Sequence, residues 1–291
     1  MSPKNPIVGF QGEFGAFSET AARAYFHESV DLMPRPSFQA LFEAVVDGEC
    51  THAIVPIENS LAGSIHENFD LLLRFDVSIV GEIKLRIVHN LIVNPGVRLE
   101  EIRRIHSHPQ ALAQCSDFIR SLEDVEAIVD YDTAGAVKRL QETGERAVAA
   151  IAGAQAAIDY DLEVLREGIE NNHQNYTRFL VVSREGIAVE GDAPAKTSIV
   201  FSMDSVPGAL FKTLGVFALR DINLLKIESR PQDGKPWEYV FYLDFEGHMD
   251  VERCAQAAEH LEQIASFVKV LGCYTPGETV EGTVREKRTA P

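Results

Sequence analysis

Short apolar runs alternate with amphipathic stretches through the first half of the chain, and the change of period marks the elements. Residues 6–10 read as a strand and 18–26 as a helix capped by Ser18. Residues 38–46 read as a second helix and 53–56 as a short buried strand that ends in a polar loop. A helix over 65–74 follows, with Ser64 and Glu67 at capping-box spacing. Residues 78–93 are rich in β-branched side chains and read as one or two strands. Ser107-His108-Pro109-Gln110 opens a helix over 111–122, again with Ser and Gln at capping-box spacing. Strand 127–129, helix 134–141, strand 147–150 and helix 152–158 complete the alternation, which predicts an α/β domain over residues 1–184 with a largely parallel sheet.

The pattern then changes. Residues 185–196 carry Gly186, Gly191, Pro194 and several charges without periodicity, and read as a linker. From 197 to 274 the order is strand 197–203, helix 209–220, strands 223–228 and 237–245, helix 251–265 and strand 267–271. That is βαββαβ, the ferredoxin-like arrangement. Residues 275–291 are polar, contain Pro and Gly, and read as a disordered tail.

Composition narrows the function classes. In 291 residues, 44 acidic and 27 basic side chains give a formal charge of −17, which argues against nucleic acid and anionic membranes as partners. An anionic small molecule is still admissible, because helix N-termini and backbone amides supply local positive potential without lysines. No apolar run approaches the length of a membrane span, and the first residues lack the apolar core of a secretory signal, so the cytoplasm is the expected compartment. Cys50, Cys115, Cys254 and Cys273 show no CxxC and no metal spacing, and read as reduced, mostly buried thiols.

Three segments stand out as candidate chemistry. Pro56-Ile57-Glu58-Asn59-Ser60 follows a buried strand, where ligands of α/β sheets gather; its ordinary structural reading is a turn stitched by Asn59 and Ser60. In Asn175-Tyr176-Thr177-Arg178-Phe179, a threonine hydroxyl can donate to a leaving oxygen and an arginine can fork onto a carboxylate. The alternative is a strand residue beside a surface ion pair. Leu225-Lys226-Ile227-Glu228-Ser229-Arg230-Pro231 pairs with Pro207-Gly208-Ala209-Leu210-Phe211 at the start of the preceding helix, a possible carboxylate site or simply a strand end and a turn. Gly12-Glu13-Phe14-Gly15 lacks the third glycine of a dinucleotide loop and the lysine of a P-loop. His106-Ser107-His108 has no third ligand at a metal spacing. Ser18, Ser107 and Thr133 are all plausible caps, and any of them could also face a cleft.

Taken together, these segments resemble the prephenate dehydratase family across nearly the whole chain. Tyr160-Asp161-Leu162-Glu163-Val164-Leu165, Asn171 and Thr177-Arg178-Phe179-Leu180 match the family's signature around its catalytic threonine. Val55–Ser60 with Gly63, and Ser107–Cys115, match two further blocks. Leu225–Pro231 and Gly208-Ala209-Leu210 match its regulatory motifs. Gly63-Ser64-Ile65-His66 and Phe211-Lys212-Thr213 are also similar to plant arogenate dehydratases.

The resemblance implies a two-lobed catalytic domain like type II periplasmic binding proteins, with lobes over about 7–80 plus 179–183 and over 81–178. An ACT regulatory domain would follow over 197–274. It implies decarboxylating dehydration of prephenate to phenylpyruvate, with arogenate as the rival substrate and no metal or redox cofactor. Thr177 would be the catalytic donor, and Asn59, Ser60, Arg178, Phe179, Ser107 and Thr133 would hold substrate. L-phenylalanine would bind between paired ACT domains at Gly208, Ala209, Leu210, Asn223, Leu224, Glu228 and Ser229 in a dimer of dimers. A non-catalytic small-molecule sensor using the same cleft is the alternative from another class.

Overall fold

The computed structural model describes residues 5–27, 30–189, 193–232, 234–235 and 237–285. The first lobe runs β1 (Ile7–Gln11), α1 (Phe17–Phe26), β2 (Asp31–Arg35), α2 (Phe38–Val46), β3 (His52–Asn59), β4 (Gly63–Ser64), α3 (His66–Arg74) and β5 (Ser78–Arg86). The chain then builds the second lobe from β6 (Asn90–Val93), β7 (Arg104–Ser107), α4 (Pro109–Gln114), α5 (Ser116–Arg120), β8 (Glu126–Val129), α6 (Thr133–Thr143), β9 (Val148–Ala152), α7 (Ala154–Asp159) and β10 (Glu163–Arg166). It returns to the first lobe as β11 (Tyr176–Ser183), between β5 and β3. The C-terminal domain is β12 (Lys196–Ser202), α8 (Ala209–Ala218), β13 (Leu224–Pro231), β14 (Tyr239–Glu246), α9 (Glu252–Ile264) and β15 (Phe267–Tyr274). Its sheet order is β13-β14-β12-β15, the ferredoxin-like order that βαββαβ implies.

The lobe sheets differ from expectation. Each mixes directions: β1 is parallel to β2 and β3, while β11 is antiparallel to both β3 and β5. In the second lobe β7 is parallel to β8 and β9, and β6 is antiparallel to β9 and β10. A chain that leaves a sheet and returns to its middle brings antiparallel pairs with it. Strands β2, β7 and β10 escaped the pattern reading, and β2 carries Pro34. As the edge of its sheet it tolerates the missing donor.

Several caps also differ. Ala16, not Ser18, precedes α1, and Ile65 precedes α3 without a side-chain cap. Ser64 instead donates to Glu228 of the C-terminal domain at 2.7 Å. His108 caps α4 through its ring and Asp132 caps α6, leaving Ser107 and Thr133 for other contacts. The helix expected over 111–122 breaks at Cys115 into α4 and α5.

The C-terminal stretch is the largest departure. Of the expected tail, residues 286–291 lie outside the described residues, and 275–285 are not loose: they run along the open edge of β5, with β16 (Thr279–Val280) parallel to it. Lys84 N–H donates to Glu278 O at 2.9 Å, and Arg86 pairs with Glu281 at 3.2 Å. Arg285 N–H then reaches Gln155 of the second lobe at 2.8 Å. A polar segment without periodicity reads as disorder until an unpaired strand edge is offered to it.

Continuous cores join the three bodies. Val8, Phe10, Ile83 and Phe179 pack with Val137, Ala150 and Ala156 between the lobes. On the other face of the first sheet, Val55, Ile57, Leu180 and Val182 pack with Val200, Val240, Leu271 and Tyr274 of the C-terminal sheet. No helix among the described residues is long and apolar enough to cross a membrane.

Candidate active site

A cavity of about 550 Å³ lies between the lobes, in the size range of small-ligand sites. Its floor is made by the facing strands β3 and β11. Thr177 sits directly opposite Asn59 in their antiparallel ladder, and both side chains are nearly buried at the cavity wall. The Asn59 amide donates to Thr177 Oγ1 at 3.0 Å, to Asn175 Oδ1 at 2.7 Å and to the Tyr176 carbonyl at 3.2 Å. Its Oδ1 accepts from the Leu61 and Ala62 amides, both at 3.0 Å, and from Gln114 Nε2 at 3.3 Å. Asn59 is therefore rigid, and because Thr177 Oγ1 accepts from it, the hydroxyl proton remains free to point into the cavity.

Asn59 faces the cleft because β3 carries a bulge. Arg178 pairs with Glu58 and Phe179 with Pro56, which leaves Ile57 as the extra residue. Two-residue alternation from Pro56 would send Asn59 to the opposite face; the bulge restores it.

The second lobe contributes Gln114 and His89. His89 Nε2 meets Gln114 Oε1 at 2.8 Å, and Asn175 Nδ2 donates to the same oxygen at 3.0 Å. Burial pushes the His89 pKa down, so the ring is neutral and Nε2–H is the donor. Its Nδ1 faces no partner among the described residues. His108 is likewise held neutral by burial.

Among the described residues lining the cavity there is no lysine or arginine. Helix N-termini are the source of positive partial charge there, set against the Glu67 carboxyl, which also lines the cavity. Ala16, Phe17 and Ser18 at the start of α1, Ser37 and Phe38 at α2, Ile65 and Glu67 at α3, and Asp132 and Thr133 at α6 all line it. Each terminus presents roughly half a positive charge through its unsatisfied N–H groups. Asp132 caps α6 by accepting from Gly135 N–H at 2.5 Å. Burial raises its pKa nonetheless, and its second oxygen has no partner among the described residues.

The expected site residues separate accordingly. Asn59, Thr133, Thr177 and Phe179 line the cavity. Ser60, expected on substrate, is exposed and does not line the cavity; it accepts from Tyr176 N–H at 2.9 Å and donates to the Gln174 carbonyl at 3.0 Å, so it fixes the entry of β11. Ser107 is fully buried and spends its hydroxyl on the Ile151 carbonyl at 2.6 Å. Arg178, expected on a substrate carboxylate, points to the opposite face of the sheet because it follows Thr177 in a strand; it pairs with Asp244, Glu82 and Glu58. Gln114, Asn175, His89 and Asp132 were not anticipated. Gln114 lies in the Ser107–Cys115 block and Asn175 two residues before Thr177, but only the folded register shows where they point.

In the C-terminal domain, Gly208 enters α8 with φ +79°, a conformation that favours glycine. Gly208, Leu210, Asn223 and Ser229 are exposed, and Ala209 and Leu224 half-buried. Glu228 is not free for a ligand here: it accepts from Ser64 and meets His66 of the first lobe, and accepts from Lys226 of its own strand.

Comparison with known proteins agrees with this geometry. The prephenate dehydratase family profile matches residues 8–187 and the ACT domain profile residues 197–262. An Arabidopsis thaliana chloroplastic arogenate dehydratase/prephenate dehydratase is 45% identical over 281 residues, covering 92% of this chain and 71% of the relative. A prephenate dehydratase from Arthrobacter aurescens, solved in complex with L-Phe, superposes with a TM-score of 0.85 at 33% identity, over 92% of this chain and 89% of that one. A structure described as a quorum-quenching acylase, GqqA, also superposes at 0.85 with 35% identity, over 93% and 98% of the two chains. With a matched cleft domain, a matched regulatory domain and relatives at this identity, the chain belongs to the prephenate dehydratase family and is a dehydratase carrying a C-terminal ACT domain.

Proposed function

We propose that the chain converts prephenate to phenylpyruvate and is inhibited by L-phenylalanine at its ACT domain. The observation that carries the reading is the Thr177 hydroxyl, polarised by a fully anchored Asn59 and facing a cavity ringed by helix N-termini. Prephenate is a dianion whose ring carboxylate leaves as carbon dioxide while the opposite hydroxyl departs. The C–C bonding pair becomes part of the aromatic ring, and the C–O pair leaves with hydroxide. Thr177 stabilises the departing oxygen by hydrogen bonding, or by relaying a proton so that water leaves. Helix N-termini hold the carboxylates without a lysine. Partial desolvation favours decarboxylation, because the carboxylate charge disperses on the way to carbon dioxide.

A homo-oligomer, a dimer of dimers, belongs to the same reading. β13 is an edge strand of the ACT sheet, with Leu225 and Ile227 exposed along it and Leu210 and Phe211 exposed on α8. Phenylalanine would then bind where two such edges meet, near Gly208, Ala209, Leu210, Asn223, Leu224 and Ser229.

The test is a side-by-side assay of prephenate and arogenate, quantifying phenylpyruvate and phenylalanine. Preference for prephenate supports the proposal; preference for arogenate keeps the chemistry and changes the substrate. Turnover of neither by folded protein that binds phenylalanine refutes it in favour of a sensor.

A further inference from the structure

The adjacent residues Thr177 and Arg178 serve opposite faces of one strand. Arg178 Nη1 meets Asp244 Oδ2 at 2.8 Å and Glu82 Oε2 at 3.3 Å, and Nη2 meets Glu58 Oε2 at 3.5 Å. Lys196 Nζ bridges Glu82 at 2.9 Å and Asp244 at 3.1 Å, and Lys226 Nζ reaches Glu58 at 3.2 Å. Ser198 donates to the other oxygen of Asp244 at 2.6 Å, with Tyr274 OH 2.7 Å from the serine. The cluster sets three cations, Arg178, Lys196 and Lys226, among four carboxyl groups, Glu58, Glu82, Asp244 and, through Lys226 at 3.4 Å, Glu228, so each cation meets opposite charge in a largely buried place. Its members come from β3, β5 and β11 of the catalytic domain and from β12, β13 and β14 of the ACT domain.

The ladder gives this cluster a direct relation to the chemistry. Thr177 pairs with Asn59 on the cleft side, and one step along the same two strands Arg178 pairs with Glu58 on the ACT side. Each residue that forms the donor pair is thus bonded in sequence to a residue gripped by the ACT domain. A shift of the ACT domain pulls on Arg178 and Glu58 together, and the backbone passes that shift to the 3.0 Å contact between Asn59 and Thr177. The geometry points to Arg178 as a positioning residue: through Asp244 and Lys226 the ACT domain sets the alignment of Thr177 with Asn59, and so the rate of the chemical step. The inference rests on the proposed role of Thr177 and deepens it. Arg178 holds the strand that presents the donor and touches no substrate.

The test compares full-length wild type, Asp244→Asn and Lys226→Gln, using whichever of prephenate or arogenate the wild type turns over. Misplacing a reacting group by about an ångström costs up to about 100-fold, so Asp244→Asn is expected to lower kcat about 10- to 100-fold with KM within about threefold. Lys226→Gln, which leaves Arg178 its three carboxylates, lowers kcat about threefold. In both variants phenylalanine still binds by calorimetry but its effect on kcat shrinks. A merely structural role would lower thermal stability and leave kcat of the folded fraction and its phenylalanine response unchanged, and that result overturns the inference. Should Asp244→Asn fail to fold, Lys226→Gln decides alone.

A readout without substrate separates this inference from the assigned reaction. Amide exchange over residues 174–180 is expected to quicken in Lys226→Gln while β1 and β2 stay protected. Unchanged exchange there overturns the positioning role whatever the substrate proves to be.

Discussion

Replacing Thr177 by valine removes the hydroxyl and keeps the β-branched shape. Thr177 is 8% exposed and its strand neighbours are packed, so little rearrangement is available. The Asn59 amide loses one of its three acceptors but keeps Asn175 Oδ1 at 2.7 Å and the Tyr176 carbonyl at 3.2 Å, so no buried donor is orphaned. The stability cost is then that of one ordinary hydrogen bond, about 1 kcal/mol. That corresponds to a Tm lowered by about 2–4 °C, at the small end for a chain of this size. The kinetic cost is of another order. Loss of one preorganised donor to a departing oxygen costs about 10²–10³ in kcat, or about 2.7–4 kcal/mol of transition-state stabilisation. Single-turnover and steady-state assays, run beside a thermal melt, measure both quantities on the same preparation. Thr177→Ser, which restores the hydroxyl without the methyl group, should recover most of the rate. A valine variant with kcat within about threefold of wild type and a normal melt would remove Thr177 from the chemistry.

Other perturbations test the surroundings. Burial raises the Asp132 pKa, so its carboxyl is neutral at low pH and becomes an anion facing an anionic substrate as pH rises through that pKa. KM is therefore expected to rise with pH in the wild type, and Asp132→Asn, which retains a capping oxygen, should flatten that profile; an unchanged profile points to another group. A Cβ on Gly15, at φ +86°, would fall 2.7 Å from Ala156 Cα across the lobe contact. Gly15→Ala should lower stability by about 1–3 kcal/mol and raise KM by wedging the lobes, and an unaltered melt would show that the lobes already give way. A Cβ on Gly272 of β15 would land on the Ile79 carbonyl of β5. Gly272→Ala is expected to loosen the ACT domain, lowering stability by about 1–3 kcal/mol and speeding proteolysis between β11 and β12. Cleavage at the wild-type rate would contradict that docking.

What the sequence determined by itself is the set of parts. Period-two apolar runs with turn residues between them identified β1, β3, β12 and β14, and three-and-four spacing identified α2, α6 and α9, because burial of one face leaves its period in the chain. The βαββαβ order of the ACT domain followed from element order alone, since short connections leave few topologies. Thr177 and Asn59 were visible as polar residues at strand ends. Tertiary structure decided where such residues point. The bulge at Ile57 turns Asn59 into the cleft, and strand alternation turns Arg178 out of it. Both depend on register between strands more than a hundred residues apart, and no local pattern records that. The same holds for residues 275–285, whose order comes from the free edge of β5, and for Asp132, His89 and Gln114 of the second lobe, which face Asn59 and Thr177 only when the two lobes close on one cavity. Local propensity is written residue by residue, whereas a site between lobes is a property of pairings distant in sequence.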